Sequence, residues 1–360
     1  MEIKVDSATA TALEVPLREP FTIATARMET TRAALFRIRA GETLGIGEAA
    51  CLYPVTEEDM PDVLALAARS FRALEGRTVA RIADCRDLAY EVSERSKVTA
   101  SALECALLDA LARSRGASIA DLFGVRSFAS RIESDITIPI AETKEMLRVG
   151  EVWHAQGFRA FKAKVGRDVD RETRALCTMH ERLPGLRFRL DANAGFSAED
   201  ALAMLRGLRR HGAIVECFEQ PCAREDVDGM AKVVRDGAVD VVADESLRGP
   251  DDLAELVRAR AATSVNLKIV KLGGFAASLE LGTEAVRRGL GVMVGGMVET
   301  RLGMTCATML AACLPKLTYA DLDTAWLLAS DPFVGGFASD GPIITPIMGP
   351  GFGVTTAGDR

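Results

Sequence analysis

The sequence has no run of about twenty apolar residues, so no membrane span is expected from it. It has no long basic run and no aromatic-plus-arginine signature. With a formal net charge of -7, that argues against a nucleic-acid surface. The N-terminal stretch MEIKVDSATATALEVPL carries Glu2, Lys4 and Asp6 where a signal peptide needs an uninterrupted apolar segment. No close CxxC pair occurs among the eight cysteines. Cys105 in ALECALLDA and Cys306 in GMTCATMLAA fall in helical apolar patterns, where a thiol is usually a small buried hydrophobe. Together these features read as a soluble chain of a reducing, cytoplasmic compartment. Histidine is scarce: His154, His180 and His211 all fall in helical or turn segments, which makes histidine a poor candidate for a catalytic base.

What is present is an ordinary globular composition, 48% hydrophobic and 26% charged over 360 residues, enough for one large domain or two unequal ones. Residues from Glu2 to Arg39 read as extended segments broken by Pro16 and Pro20, and Gly41 to Gly47 as turns. From about Thr56 to Leu122 the chain is helical in pattern. VTASALECALLDALARSRG shows apolar residues at helical spacing, a polar face and Gly116 as a C-cap. From about Arg131 short apolar runs alternate with helical stretches: SDITIPI, AFKAKV, FRLDAN, IVECFEQP, VDVVADES, SVNLKIVK, GVMVGG and LTYADLD. They recur roughly every 25 to 30 residues, the length of one βα unit. Eight such units predict an α/β TIM barrel more than a doubly wound open sheet. The expected organisation is an α+β capping domain over residues 1–125, a barrel over 126–330, and a segment of about 330–360 returning to the cap.

Three of the runs end in an acid: Asp191 in DAN, Glu219 in EQP and Asp244 in DES. In a barrel, consecutive strand ends converge on the active-site face. Any one acid alone reads better as a helix cap, Asp191 directly or Asp244 with Ser246. Three together need a counter-ion, because a buried unpaired carboxylate is costly. A hard dication with oxygen ligands meets that need, and Mg²⁺ suits few carboxylates plus water and substrate oxygens. Lysines flank the acids: Lys162 and Lys164 before them, Lys268 and Lys271 after them. Burial and a nearby metal both lower a lysine pKa, which makes these amines candidate acid/base groups.

In this order, KxK, DxN, ExP, DES and KxxKxGG resemble the enolase superfamily, in its muconate-cycloisomerase-like branch. The likeness extends to the GxGEA turn at Gly45 to Ala49. It implies a modified (β/α)7β barrel with an α+β cap, and proton abstraction beside a carboxylate assisted by one Mg²⁺ per subunit. It also implies Asp191, Glu219 and Asp244 as metal ligands and Lys164 and Lys268 as the two bases. Of these, Lys164 would serve the D-configured centre and Lys268 the L-configured one. Lys162 would support the substrate carboxylate.

Asp321 and Asp323 alternate at the end of the last run, so they share a face. Alone they read as a polar turn. In context they resemble the aspartate pair of the dipeptide epimerases, which holds the ammonium of an N-terminal residue. Thr137 in DITIPI, and Met297 in GGMVET, resemble the same group as substrate-binding positions. Alanyl-glutamate epimerases carry an arginine in the first cap loop, where EPFTIATARMET places Ala26, with Arg27 beside it. With Leu52 and Tyr53 in the second cap loop, the resemblance implies a more neutral pocket. The expectation is therefore epimerisation of the C-terminal residue of L,L-dipeptides, with neutral or apolar second residues preferred. Its alternatives are an L-Ala-D/L-Glu epimerase, or a cycloisomerase, o-succinylbenzoate synthase or N-acylamino-acid racemase of the same fold. A non-catalytic binding protein on a degenerate barrel is disfavoured by the intact acids and lysines. The sequence is compatible with a homo-oligomer.

Overall fold

A computed structural model describes residues 2–22, 27–53 and 55–358. The N-terminal part is a three-stranded antiparallel sheet with Ala33–Ala40 at its centre, flanked by Ser7–Leu13 and Thr43–Ala50. Helices Met60–Leu74 and Lys97–Ser114 pack on it, and Ile82–Val92 packs against these two helices. The expected turns shrink to one. Gly41, at φ 60°, reverses the chain, and Gly45 to Ala49 continue as strand. The glycines there serve packing: a Cβ on Gly45 would lie 2.1 Å from the Ala106 carbonyl oxygen, and one on Gly47 2.1 Å from that of Ala102. Only a strand without side chains at these positions can lie directly on the long helix.

That helix, Lys97–Ser114, starts at Ser96, whose hydroxyl accepts the Thr99 N–H at 3.1 Å. It ends where Gly116 adopts φ 61°, the left-handed conformation that closes a helix C-terminus. Its predicted polar face is not solvated: Thr99, Ser101, Glu104 and Asp109 are buried with the apolar residues. The cap sheet covers one side, and barrel and C-terminal backbone cover the other. Asp109 accepts the Ile46 N–H at 3.1 Å, the Phe352 N–H at 2.9 Å and the Arg113 guanidinium at 2.8 Å. Arg113 in turn donates to the Val354 carbonyl at 2.6 Å. These bonds tie the C-terminal segment to the cap helix.

Eight parallel strands follow in sequential order: β1 (Ile136–Ile138), β2 (Ala160–Lys164), β3 (Arg187–Asp191), β4 (Ile214–Glu219), β5 (Asp240–Ala243), β6 (Ser264–Leu267), β7 (Gly291–Val294) and β8 (Tyr319–Ala320). Each is one of the apolar runs read from the sequence. The Asp135 N–H donates to the Ala320 carbonyl at 3.1 Å and brings β8 back to the edge of β1. Inside the barrel Cys217, Val242 and Met293 form a small separate core capped by Tyr319.

Glu48 joins the two parts. From strand Thr43–Ala50 its carboxylate accepts the N–H of Thr300 at 3.0 Å, the Thr300 hydroxyl at 2.5 Å and the N–H of Gly303 at 2.9 Å. It thereby satisfies the open N–H groups that begin the barrel helix Arg301–Cys313.

Candidate active site

The register of the barrel places the chemistry. Lys164 pairs with Asp191 across β2 and β3, and Asp191 with Glu219 across β3 and β4. Asp244 follows directly on β5 and Lys268 directly on β6. Side chains two residues apart on a strand share a face, so Lys162 and Lys164 both enter the barrel mouth. Asp191, Glu219 and Asp244 are buried, at 0–2% exposure. Beyond Asp191 and Glu219 the backbone turns sharply. Asn193, Ala194 and Gln220 have φ of 42°, 64° and 33°, rare for residues with a side chain.

Neither carboxylate that could have been a helix cap is one. Asp191 Oδ1 accepts its own loop's Asn193 N–H at 2.9 Å, and the next helix is capped by Ser197. Ser246 accepts from the Gln220 side-chain amide at 2.7 Å, and the following helix starts after Gly249.

The carboxylates are neutralised by lysines. Lys162 Nζ lies 3.0 Å from Asp191, 2.7 Å from Glu219 and 2.7 Å from Asp321. Lys164 Nζ lies 2.6 Å from Asp191, and Lys268 Nζ 2.8 Å from Asp244. Lys271 also donates to Asp244, through both its carboxylate and its carbonyl. Burial pushes Asp191 up, but the ammonium groups of Lys162, Lys164 and Lys268 outweigh it and hold the acid well below its usual range. Glu219 goes the other way, to about 8, through burial and the neighbouring charge of Asp191.

At Lys268 and Lys162 the expected lowering is reversed in the protein alone. Burial does lower Lys268, yet Asp244 at 2.8 Å more than reverses it and keeps the ammonium form. The same holds at Lys162, where Asp191, Asp321 and Glu219 outweigh burial.

A small cavity of about 40 Å³ lies over this layer. It is lined by Thr137, Lys162, Lys164, Lys268, Met297, Asp321 and Asp323, together with Asn193, Gly296, Val298 and Thr324. Leu52 and Val55 close it from the cap side. Tyr53 is instead 65% exposed. Arg27 is exposed and paired with Glu29 at 3.3 Å, and Ala26 lies outside the described residues.

Asp323 accepts the Thr137 N–H at 2.6 Å. Burial and the charge of Asp321 push it to about 6. Burial also raises Asp321, but Lys162 outweighs it and holds this acid low.

Several residues here have no counterpart in the sequence reading. Asp135 brings a carboxylate oxygen within 4.8 Å of those of Asp321 and Asp323. It accepts from Arg189 at 2.9 Å, while Arg189 also binds Glu216 at 2.9 Å and the Ala320 carbonyl at 2.9 Å. Asp135 stands two residues before Thr137, so the alternation of SDITIPI was the available signal. Gln220 accepts the N–H groups of Asp244 and Ser246, both at 3.0 Å, and so fixes the loop that carries Asp244. Asn266 donates to Glu219 at 2.8 Å.

Residues 6–124 match the N-terminal domain of the mandelate racemase / muconate lactonizing enzyme family, and residues 145–360 match the enolase C-terminal domain-like family. The chain is 34% identical to an L-Ala-D/L-amino acid epimerase of Populus trichocarpa, over 95% of this chain and 82% of that one. It is 33% identical to an aromatic dipeptide epimerase of Herpetosiphon aurantiacus, over 99% of this chain and all of that one. A dipeptide epimerase from Enterococcus faecalis V583, solved with Mg and L-Leu-L-Tyr, superimposes with a TM-score of 0.90 at 26% identity, over 98% of this chain and 100% of that one. The eight-stranded barrel, its capping sheet and both domain matches lead to one conclusion: the chain belongs to the mandelate racemase / muconate lactonizing enzyme family of the enolase superfamily.

Proposed function

We propose that this chain epimerises the C-terminal residue of L,L-dipeptides, with neutral or apolar second residues preferred over glutamate. One observation carries the reading. Lys164 and Lys268 come from β2 and from the end of β6, four strands apart in a ring of eight, and both line the cavity that holds Asp321 and Asp323. Amines from opposite sides of a barrel suit removal of an α-proton on one face of a planar carbanion and its return on the other. In that exchange the neutral amine takes the proton and the opposite ammonium supplies one, so charge and protons balance. Asp321 and Asp323 would hold the free ammonium of the first residue, and Thr137 and Met297 would pack beside it.

Asp191, Glu219 and Asp244 would hold Mg²⁺. The fit rests on the donor set: three buried carboxylates, hard oxygen donors, on neighbouring strand ends. Bound there, the ion supplies positive charge beside the substrate carboxylate, where negative charge grows as the proton leaves. The carboxylates would then no longer depend on the lysines for neutralisation, which favours the neutral amine. Lys162 would stay near the substrate carboxylate. The epimerase names of the relatives support the activity, and the aromatic preference named for one supports an apolar substrate. The exposure of Arg27 and its pairing with Glu29 argue against a glutamate-binding arginine at that position.

The chain is read as a cap over 1–125 and a barrel over 126–330. Eight buried free thiols support a reducing, cytoplasmic compartment, and the net charge supports a small-molecule partner rather than nucleic acid. Among the described residues no helix is long and apolar enough to cross a membrane.

The test is incubation of L-Ala-L-Leu, L-Ala-L-Phe and L-Ala-L-Glu in D₂O with Mg²⁺, read by mass spectrometry and chiral separation. Deuterium at the second α-carbon of the neutral dipeptides is expected. Its absence from all of them, with turnover of a muconate or succinylbenzoate precursor instead, would overturn the reading in favour of a cycloisomerase or synthase.

A further inference from the structure

A second cavity, of about 180 Å³, adjoins the lysine-lined one, and Thr137 borders both. We propose that it receives a large apolar side chain on the first residue of the dipeptide, which would make the chain selective at both positions. This rests on the epimerase reading above. The argument starts from Asp323, which accepts the Thr137 N–H at 2.6 Å and is assigned with Asp321 to the substrate ammonium. In a dipeptide the ammonium and the first side chain branch from the same carbon. A side chain leaving that carbon therefore starts beside Thr137, at the mouth of this cavity. The short helix Thr324–Leu327 begins immediately after Asp323 and carries Trp326 and Leu327 into the cavity wall. Val149, Val152 and Trp153 of helix Thr143–Ala155 also line it.

The walls are fixed and apolar. The Phe158 ring packs edge-on against both Trp153 and Trp326, with centroids 5.4 Å and 5.1 Å apart. Arg18, Glu19 and Arg148 stand at the rim. Arg18 Nε donates to the Leu328 carbonyl at 2.8 Å, and Arg148 donates to Glu19 and Glu145, both at 2.7 Å. A cationic side chain would meet the Arg18 and Arg148 guanidinium groups and lose its hydration, whereas an apolar one packs against Val149, Trp153, Trp326 and Leu327 and gains by leaving water. The size suits a ring: an apolar cavity of about 150 Å³ is known to hold benzene.

Trp153 and Trp326 are the only tryptophans of the chain, so occupancy is readable without turnover. The experiment titrates the full chain with Mg²⁺ and L-Phe-L-Ala, L-Ala-L-Phe or L-Ala-L-Ala. It follows tryptophan emission, and deuterium exchange in parallel. L-Phe-L-Ala is expected to change the emission saturably and to exceed L-Ala-L-Ala in kcat/KM by about 10- to 100-fold. Val149→Phe, which fills the cavity, should reduce that ratio at least tenfold. If its circular dichroism shows misfolding, Val152→Phe at a half-exposed position on the same wall replaces it. Exchange of all three dipeptides with an unchanged ratio in a folded variant overturns this proposal and leaves the epimerase reading standing. So does a variant effect confined to L-Ala-L-Phe, which would assign the cavity to the second residue. No exchange with any dipeptide overturns both.

Discussion

Glu104→Gln tests how the cap is seated on the barrel. Glu104 lies on helix Lys97–Ser114 with no solvent exposure. One carboxylate oxygen accepts the Ala276 N–H at 3.3 Å, in the first turn of the barrel helix Phe275–Arg287. The other, Oε2, has no hydrogen-bond partner among the described residues. Burial pushes the carboxyl from 4.5 to about 8, only partly offset by the N–H groups of Ala276 and Phe275 and by Arg86, while Glu280 adds to the rise. The native chain therefore keeps a proton that the unfolded chain releases above pH 4.5. A native state that binds more protons than the unfolded one loses stability as pH rises. The contribution is complete below pH 4.5 and is lost as pH approaches 8. At about 1.36 kcal/mol per pH unit, the gap from 4.5 to pH 7 amounts to roughly 3 kcal/mol, and the whole window to on the order of 5 kcal/mol. Glutamine keeps the shape and has no proton to release. Urea unfolding of both proteins at pH 5, 6, 7 and 8 gives a difference curve in which the other titrating groups cancel. Wild type should lose roughly 3–4 kcal/mol relative to the variant between pH 5 and pH 8. A flat difference curve would mean that Glu104 is ionised or hydrated in the native protein, and the reasoning from its burial would fail.

Three further outcomes are expected. Asp244→Asn removes a carboxylate that faces both Lys268 and Lys271, so calorimetry should show Mg²⁺ binding lost and exchange lowered by roughly 100-fold or more, with the circular dichroism spectrum retained. Near-native turnover would disprove the ligand assignment. Lys268→Ala should abolish epimerisation, while Lys164 still washes deuterium into one configuration of the second residue; full two-way activity would rule out the two-base scheme. Glu48→Ala orphans the buried N–H groups of Thr300 and Gly303, at about 1–3 kcal/mol each, so urea unfolding should register a loss of roughly 2–6 kcal/mol. A loss below 1 kcal/mol would mean that water replaces the carboxylate and that Glu48 is no interdomain latch.

The residue order by itself determined the eight strands and the ring of acids and lysines, because both depend on short-range rules. Alternation with a period of two marks a strand, and a polar residue ending an apolar run marks its mouth. Lys164, Asp191, Glu219, Asp244 and Lys268 were legible one run at a time, and only their convergence needed the barrel. The tertiary structure alone decided what each buried charge faces. Lys162 meets Asp321 across 159 positions, Asp135 meets Arg189 across 54 and Glu48 meets Thr300 across 252. No local pattern encodes such a pair. It decided too that Gly45 and Gly47 serve close packing rather than a turn, and that the polar face of helix Lys97–Ser114 is buried. Whether a polar side chain meets water or a backbone N–H depends on which element covers it, and covering elements come from anywhere in the chain. The sign of the lysine shifts follows the same rule. Burial was predictable from the apolar neighbours of Lys268, but the carboxylate 2.8 Å from its amine, which overrides burial, was placed there by the fold.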